Sequence, residues 1–160
     1  MIVKWLREST IASWLLLLVR LYVGYEWLTS GWGKVTGGFD AAGFLSAAMA
    51  KSSGDHPAVQ SWWATFLENF AVPNVGLFNI LVPYGEVLVG LGLILGAFTW
   101  LAAFFGMVMN FAFLFSGTVS TNPQLLLLEI FIVVAGTNAG RIGLDYFLQP
   151  YFHRGFGRRR

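Results

Sequence analysis

Four long apolar stretches alternate with polar segments along the chain. They cover residues 11–30, 78–97, 100–118 and 124–144. Each is close to the roughly 20 residues that a helix needs to cross the hydrocarbon of a bilayer. Helices are expected because an open sheet cannot satisfy its backbone hydrogen bonds in lipid. The pattern therefore predicts an all-α integral membrane protein, a four-helix transmembrane bundle that forms one domain over residues 1–160.

The longest polar segment, residues 31–77, is predicted to be an extracytoplasmic loop that carries a short amphipathic helix. That helix is expected over residues 56–70, where four aromatic residues form an apolar face: Trp62, Trp63, Phe66 and Phe70. Aromatic side chains of this kind favour the membrane interface. Two interpretations stay open, an interfacial anchor and a lid over a site that opens outward.

The charges outside the apolar stretches predict the orientation. Lys4 and Arg7 precede the first stretch, and four arginines at the C-terminal end (Arg154, Arg158, Arg159 and Arg160) follow the last. Cytoplasmic segments of membrane proteins carry an excess of lysine and arginine. We therefore expect both ends of the chain to be cytoplasmic, with the C-terminal arginines also contacting lipid headgroups.

Composition agrees with a membrane location and excludes several classes of chemistry. Only 11% of the residues are charged, against about a quarter in a typical soluble domain. There is no cysteine, and the two histidines, His56 and His153, lie outside the predicted spans. We therefore expect no metal or haem. The basic residues form no recognition helix, so we expect no nucleic-acid partner.

Ionisable residues nevertheless lie inside the predicted spans. On the first helix, a step of 100° per residue places Arg20, Gly24, Trp27, Gly31 and Lys34 on one narrow stripe. Glycines on such a stripe allow a neighbouring helix or a ligand to approach the backbone. An arginine at mid-membrane costs about 2.5–3.5 kcal/mol on insertion scales, so it is expected to face the bundle interior.

Further polar groups lie on another face of the first span and on the other three spans. These are Glu26 on the first helix, Glu86 with Tyr84 and Gly90 on the second, Asn110 on the third and Glu129 on the fourth. We expect them to meet Arg20 in one shielded pocket that opens toward the outer face. The carboxyl groups outnumber the arginine, so one is expected to hold a proton, because burial disfavours the charged form. A purely structural alternative is an ion pair between Arg20 and Glu86 that serves packing.

Three motifs carry a resemblance to a known family. They are Arg20-x3-Gly24-x6-Gly31-x2-Lys34, Glu86-x3-Gly90-x-Gly92-x3-Gly96, and AGRIGLD at residues 139–145. Together they resemble the DoxX family and, within it, the DoxD-type subunit of thiosulfate:quinone oxidoreductase. The resemblance implies a four-helix bundle in a prokaryotic inner membrane. It further implies oxidation of thiosulfate to tetrathionate, with electrons passed to a membrane quinone.

Roles for the polar residues follow from that resemblance and from the chemistry it requires. The expected catalytic residues are Arg20, Glu26, Glu86 and Glu129. The expected substrate- and quinone-binding residues are Lys34, Trp27, Tyr84, Asn110, Gly24 and Gly90. A thiosulfate dianion needs cations, whereas a quinone of the ubiquinone or menaquinone type needs an apolar slot, hydrogen-bond donors and a proton source.

The absence of cysteine leaves the route of the electrons open. They pass either directly from substrate to quinone or through a partner, such as the second subunit DoxA of the archaeal enzyme. Two alternatives remain. One is a non-catalytic partner that binds quinone or lipid and anchors a soluble redox enzyme, and the other is a small proton-coupled carrier. A homo-oligomer is also open. In the last motif, Arg141 and Asp145 are spaced to pair on one helix face at the cytoplasmic surface.

Overall fold

The computed structural model describes residues 1–148, and in this part of the chain every regular element is helical. The predicted lipid contact of the C-terminal arginines lies outside the described residues. The helices are α1 (Ile2–Glu8), α2 (Thr10–Gly37), α3 (Ala41–Ala50), α4 (Ser61–Phe66), α5 (Val75–Leu95), α6 (Thr99–Phe115) and α7 (Asn122–Ala135). A π-helical turn, Leu67–Ala71, continues α4, and a 3₁₀ helix, Gly136–Gly140, continues α7.

The four longest helices pack into a bundle. Helix α2 contacts α5 along most of its length, α5 contacts α6, α6 contacts α7, and α7 closes the ring against α2. Three helical segments are long and apolar enough to cross a membrane: Thr10–Gly37, Val75–Leu95 and Asn122–Gly140. Helix α6 is equally apolar but has only 17 residues.

Glycines allow α2 and α5 to approach each other closely. A methyl group added at Gly90 would lie 2.5 Å from the backbone nitrogen of Leu28, and one at Gly31 would lie 2.7 Å from that of Val87. Gly24 lies against the carbonyl oxygen of Gly90. Small residues commonly allow helices to pack closely in lipid. Apolar side chains gain little free energy there by moving from lipid into a helix interface, because lipid tails are equally apolar. Gly24, Gly31 and Gly90 of the first two motifs therefore lie against the neighbouring helix.

Two predicted helix ends differ from the structure. Helix α2 extends beyond residue 30 to Gly37, because no residue breaks it until Gly38, whose φ of +71° is a left-handed cap. Helix α7 ends at Ala135, where Gly136 adopts a φ of +59°. Gly140 and the residues after it therefore do not continue a straight fourth helix.

The predicted loop between the first two spans contains more helix than the aromatic pattern indicated. Helix α3, α4 and the π-helical turn form a helical cap, residues 39–71, with its own small apolar core. Helix α3 was missed, although Asp40 is a recognisable N-cap whose carboxylate accepts a hydrogen bond from the Ala42 amide. Asn79 of α5 accepts a second bond from the Ala41 amide at 2.7 Å, which fixes the cap to the bundle.

Helix α1 was also missed. It lies beneath α7, where the Arg7 guanidinium donates to the Val134 carbonyl at 2.9 Å. The side-chain amide of Asn138 donates to the carbonyl oxygens of Leu6 and Ser9. Ser9 ends α1 and caps α2, so the two helices meet at an angle rather than as one rod.

The close contact of α2 and α5 at their glycines predicts different effects on stability for two Gly→Ala changes. Gly90→Ala is expected to lower the free energy of unfolding by about 1–3 kcal/mol, because the methyl group overlaps the α2 backbone. Gly33→Ala, with nothing within 4 Å, is expected to be neutral or to stabilise α2 by up to about 1 kcal/mol. Unfolding of the two purified variants in detergent measures the difference, and equal stabilities would contradict the packing described.

Candidate functional site

The predicted polar stripe of α2 does face the bundle interior. Arg20, Gly24, Trp27 and Gly31 are all buried, and Lys34 is partly buried. Arg20, Trp27 and Lys34 are each seven residues apart, which is about 10.5 Å along the helix axis. The three side chains therefore reach their partners at three different heights in the bundle, counted upward from the N-terminal end of α2.

The lowest height is occupied by Arg20, which is 1% exposed. Its two terminal nitrogens donate to the carbonyl oxygens of Ala139 and Ile142, both at 2.7 Å. Its guanidinium also lies against Gly96, at the C-terminal end of α5. The hydrogen-bond partners are both backbone carbonyl groups. Arg20 therefore holds residues 139–142, which follow α7, against the bundle.

Asp145 fixes the same end of the bundle, and we call Arg20, Asp145 and the backbone groups that they bind the terminal clamp. The Asp145 carboxylate accepts hydrogen bonds from the amides of Phe98 and Thr99, at 2.6 and 2.9 Å, and so caps the first turn of α6. The amides of Leu144 and Asp145 donate to the last carbonyls of α5. The predicted pairing of Arg141 with Asp145 is wrong, because Arg141 instead reaches the Thr10 hydroxyl at 3.3 Å and the two residues share no helix.

The middle height holds a buried cluster around Glu129. The Trp27 indole donates to one carboxylate oxygen at 2.6 Å, and the Asn110 amide donates to the other at 2.7 Å. None of the three residues is more than 3% exposed. The side-chain carbonyl oxygen of Asn110 has no hydrogen-bond partner in the described part of the chain.

The upper height holds an ion pair. Lys34 Nζ lies 2.6 Å from a Glu86 carboxylate oxygen and 2.7 Å from the Ser30 hydroxyl. Glu86 is 1% exposed, whereas the Lys34 side chain is 26% exposed. Ser30 was not among the predicted site residues, although its position one turn before Lys34 on the same helix was a usable signal.

The predicted polar residues therefore do not meet in one pocket. Arg20 lies at the level of Gly96 and Glu86 at the level of Gly31, which places the two side chains about 15 Å apart along α5. The alternative of an Arg20–Glu86 ion pair is wrong as well, because Glu86 pairs with Lys34. The prediction assumed that the middle of each apolar stretch lies at one depth, and the staggered packing of α2 on α5 removes that alignment.

A large cavity lies beside the upper height. Its volume is about 1380 Å³, and its walls come from the helical cap and from α2, α5, α6 and the start of α7. Most of the lining is apolar, including Phe39, Phe44, Phe113 and Trp63. Lys34, Glu86 and the half-buried Glu26 supply ionisable groups to the wall.

The remaining predicted residues separate into two groups. Trp27 contributes to the cavity wall, whereas Arg20, Asn110 and Glu129 do not line it. Tyr84 is 54% exposed on the outer surface of α5 and also lies outside the lining. Trp63, which the sequence analysis placed in the aromatic face of the loop helix but not among the site residues, also lines the cavity. Its indole donates to the Ser116 hydroxyl at 2.9 Å and fixes α4 over the end of α6.

The fold and this site define a helical membrane protein with an apolar cavity that contains a buried ion pair. A family model described as DoxX matches residues 15–118, which is more than half of the chain. The chain therefore belongs to the DoxX family, and the match covers the first two of the three motifs that carried the resemblance. The match includes Lys34 and Glu86. No curated protein and no solved structure matches the chain.

The ion pair predicts a non-additive set of variants. Lys34→Met leaves the Glu86 carboxylate buried without its cation and is expected to lower the free energy of unfolding by about 3 kcal/mol. Glu86→Gln leaves Lys34 partly solvated and is expected to have a smaller effect. The double variant is expected to recover at least about 1 kcal/mol relative to the sum of the single effects.

Unfolding of the four proteins in the same detergent gives the coupling energy directly. Lys4→Met, on the exposed face of α1, is the matched control for loss of a lysine. Strictly additive effects would show that the pair contributes nothing specific.

Proposed function

We propose that all four helices of the bundle cross a prokaryotic inner membrane, with both ends of the chain cytoplasmic. Helix α6 begins at the terminal clamp, beside the end of α5. It ends near Gly117, whose carbonyl oxygen accepts a hydrogen bond from Lys51 of the helical cap at 2.8 Å. It therefore spans the bundle from the clamp to the cap. This geometry supports four crossings, although α6, with 17 residues, is shorter than the three candidate membrane spans.

Site-directed labelling tests this topology, because the chain contains no cysteine of its own. In intact cells, Ser53→Cys and Val119→Cys are expected to react with a membrane-impermeant maleimide. Glu8→Cys is expected to react only after the membrane is opened. Protection of residue 119 in intact cells, with residue 53 labelled, would contradict a fourth crossing.

We further propose that the protein is the quinone-binding component of a membrane oxidoreductase, and that the quinone head binds beside Lys34. The observation that carries this proposal is the Lys34–Glu86 pair in the wall of an otherwise largely apolar cavity. Apolar pockets with a few placed polar groups are the usual form of small-molecule sites.

The residues at the pair fit a quinone head. The Lys34 ammonium has three N–H donors. Glu86 and Ser30 account for two of them, and the third is available to a carbonyl oxygen. The centroid of the Phe39 ring lies 5.9 Å from Lys34 Nζ, and the ring provides an apolar wall beside the donor.

A bound quinone supplies the electron-accepting chemistry, in which two electrons and two protons convert its carbonyl groups to hydroxyl groups. Lys34 donates a hydrogen bond where negative charge develops during this reduction. Glu86 holds the ammonium in place, and the apolar walls exclude water, which strengthens the attraction between the ammonium and that charge.

The electron donor is proposed to be thiosulfate, as the DoxD resemblance implies. Two thiosulfate ions joined by a new S–S bond form tetrathionate and release the two electrons. Arg20 does not assist in binding this dianion, because it lies at the opposite end of the bundle and its terminal nitrogens bind backbone.

A second candidate function is favoured by the charge of the cavity. Among its described lining residues Lys34 is the cation, and Glu86 already neutralises it. A dianion would therefore find little net positive charge. This observation favours a non-catalytic component that binds quinone and receives electrons from a soluble redox partner.

Quinone binding tests what the two candidates share. Protein in lipid nanodiscs is titrated with a short-chain ubiquinone analogue, and quenching of tryptophan fluorescence gives the dissociation constant. Lys34→Met and the Lys34→Met/Glu86→Gln double variant are each expected to bind at least about tenfold more weakly, since a hydrogen bond from a charged donor contributes roughly 1.5–3 kcal/mol. Lys4→Met is expected to match the wild type.

The double variant separates loss of the donor from loss of the fold. Unchanged affinity in a folded double variant would remove Lys34 from the site. Tetrathionate production from thiosulfate and the same analogue then distinguishes the candidates. Turnover by the purified chain supports the enzyme, whereas quinone binding without turnover supports the component that needs a partner.

A further inference from the structure

The cavity continues as a groove between α5 and α6. The two helices join through residues 96–98 and lie close together near that turn, where a methyl group at Gly92 would lie 2.9 Å from the Ala102 side chain. One heptad further from the turn, the nearest neighbour of Gly85 is the long Met109 side chain, with its sulfur 3.4 Å from the same kind of methyl group. Helix α6 therefore reaches α5 here through a flexible side chain rather than through its backbone.

The groove is open to the side of the bundle. Leu88, Leu95, Leu101, Phe105 and Val108 line the cavity and are also between 44% and 69% exposed. Residues that face both the cavity and the outer surface mark an opening. With α5 and α6 crossing the membrane as proposed, this opening faces hydrocarbon rather than water.

Polar and apolar groups are segregated along this groove. Glu86 and Lys34 lie at one end, and from Leu88 to Leu95 the lining of α5 is apolar. The distance along α5 from Glu86 to Leu95 is about 13 Å. This shape matches a molecule with a polar head and a long hydrocarbon chain.

We propose that the site takes a long-chain membrane quinone that enters sideways between α5 and α6, with Met109 over Gly85 as the gate that its chain must displace. The inference rests on the proposed function, since it assumes a quinone head beside Lys34. Methionine suits a gate because its unbranched thioether chain changes rotamer easily. Gly85 leaves room on α5 for the chain to pass.

The chain gains little free energy in the groove, because lipid tails are as apolar as the groove lining. The role of the groove is therefore geometric. A head that is attached to a chain reaches Lys34 only if the chain has a path out, whereas a head without a chain has no such requirement.

This difference gives the experiment. A chainless ubiquinone analogue and a long-chain ubiquinone are each titrated into nanodiscs containing wild type, Met109→Trp or Met107→Trp, with concentrations corrected for partition into lipid. Met109→Trp fills the passage. Met107→Trp is the matched control, since Met107 lies two residues away on α6 and does not line the cavity.

The expected result is selective. Met109→Trp weakens binding of the long-chain quinone at least about tenfold and leaves the chainless analogue within about twofold, while Met107→Trp changes neither. Gly85→Leu, which narrows the same passage from α5, is expected to reproduce the effect if the tryptophan variant does not fold.

Three outcomes contradict the proposal and separate it from the proposed function. If wild type binds both quinones and the gate variants lose neither or lose both, the gate is wrong while the head site stands. If wild type binds neither quinone, the proposed function fails. If added phospholipid displaces the long-chain quinone from detergent-purified protein but spares the chainless analogue, the groove holds a phospholipid chain instead.

Discussion

The close approach of α2 and α5 sets the heights at which the polar side chains of these two helices meet their partners. Glycines at both helix surfaces let the two backbones touch, and this contact fixes their vertical offset. Because Arg20 is thereby level with Gly96 and Gly31 with Glu86, the heptad spacing of the α2 stripe becomes a spacing between three separate interactions. Packing that stabilises a pair of helices in lipid thus also distributes the charges.

The three interactions differ in their access to a ligand, and this difference separates structural roles from binding roles. Arg20 and Asp145 bind backbone groups that the helices themselves leave unpaired at a helix end and a helix start. Glu129 is enclosed by two donors within the bundle. The Lys34–Glu86 pair lies in the cavity wall with both of its charged groups, so the chemistry of the protein is proposed there. The helical cap covers this end of the bundle, and the gap between α5 and α6 leaves its side open.

The DoxX family match covers residues of all three interactions. It includes Lys34 and Glu86 of the ion pair as well as Arg20 and Trp27, and it ends before Glu129 and Asp145. A membrane protein that lacks cysteine has few means of carrying electrons on its own side chains. The proposed role as a quinone-binding component requires only that the chain position the quinone and supply a donor, with electrons arriving from a substrate or a partner.

The sequence by itself determined the helical class, the family, the inward-facing stripe of α2 and the presence of polar residues within apolar spans, because helical periodicity and the cost of charge in lipid act on local sequence. It also named most of the polar residues that matter. The tertiary structure alone decided their partners. Glu86 pairs with Lys34 rather than Arg20, and Asp145 caps α6 rather than binding Arg141, because the offset between helices and the break at Gly136 depend on contacts between residues distant in the chain. Periodicity reports which face of a helix is buried, but not the height at which it meets its neighbour.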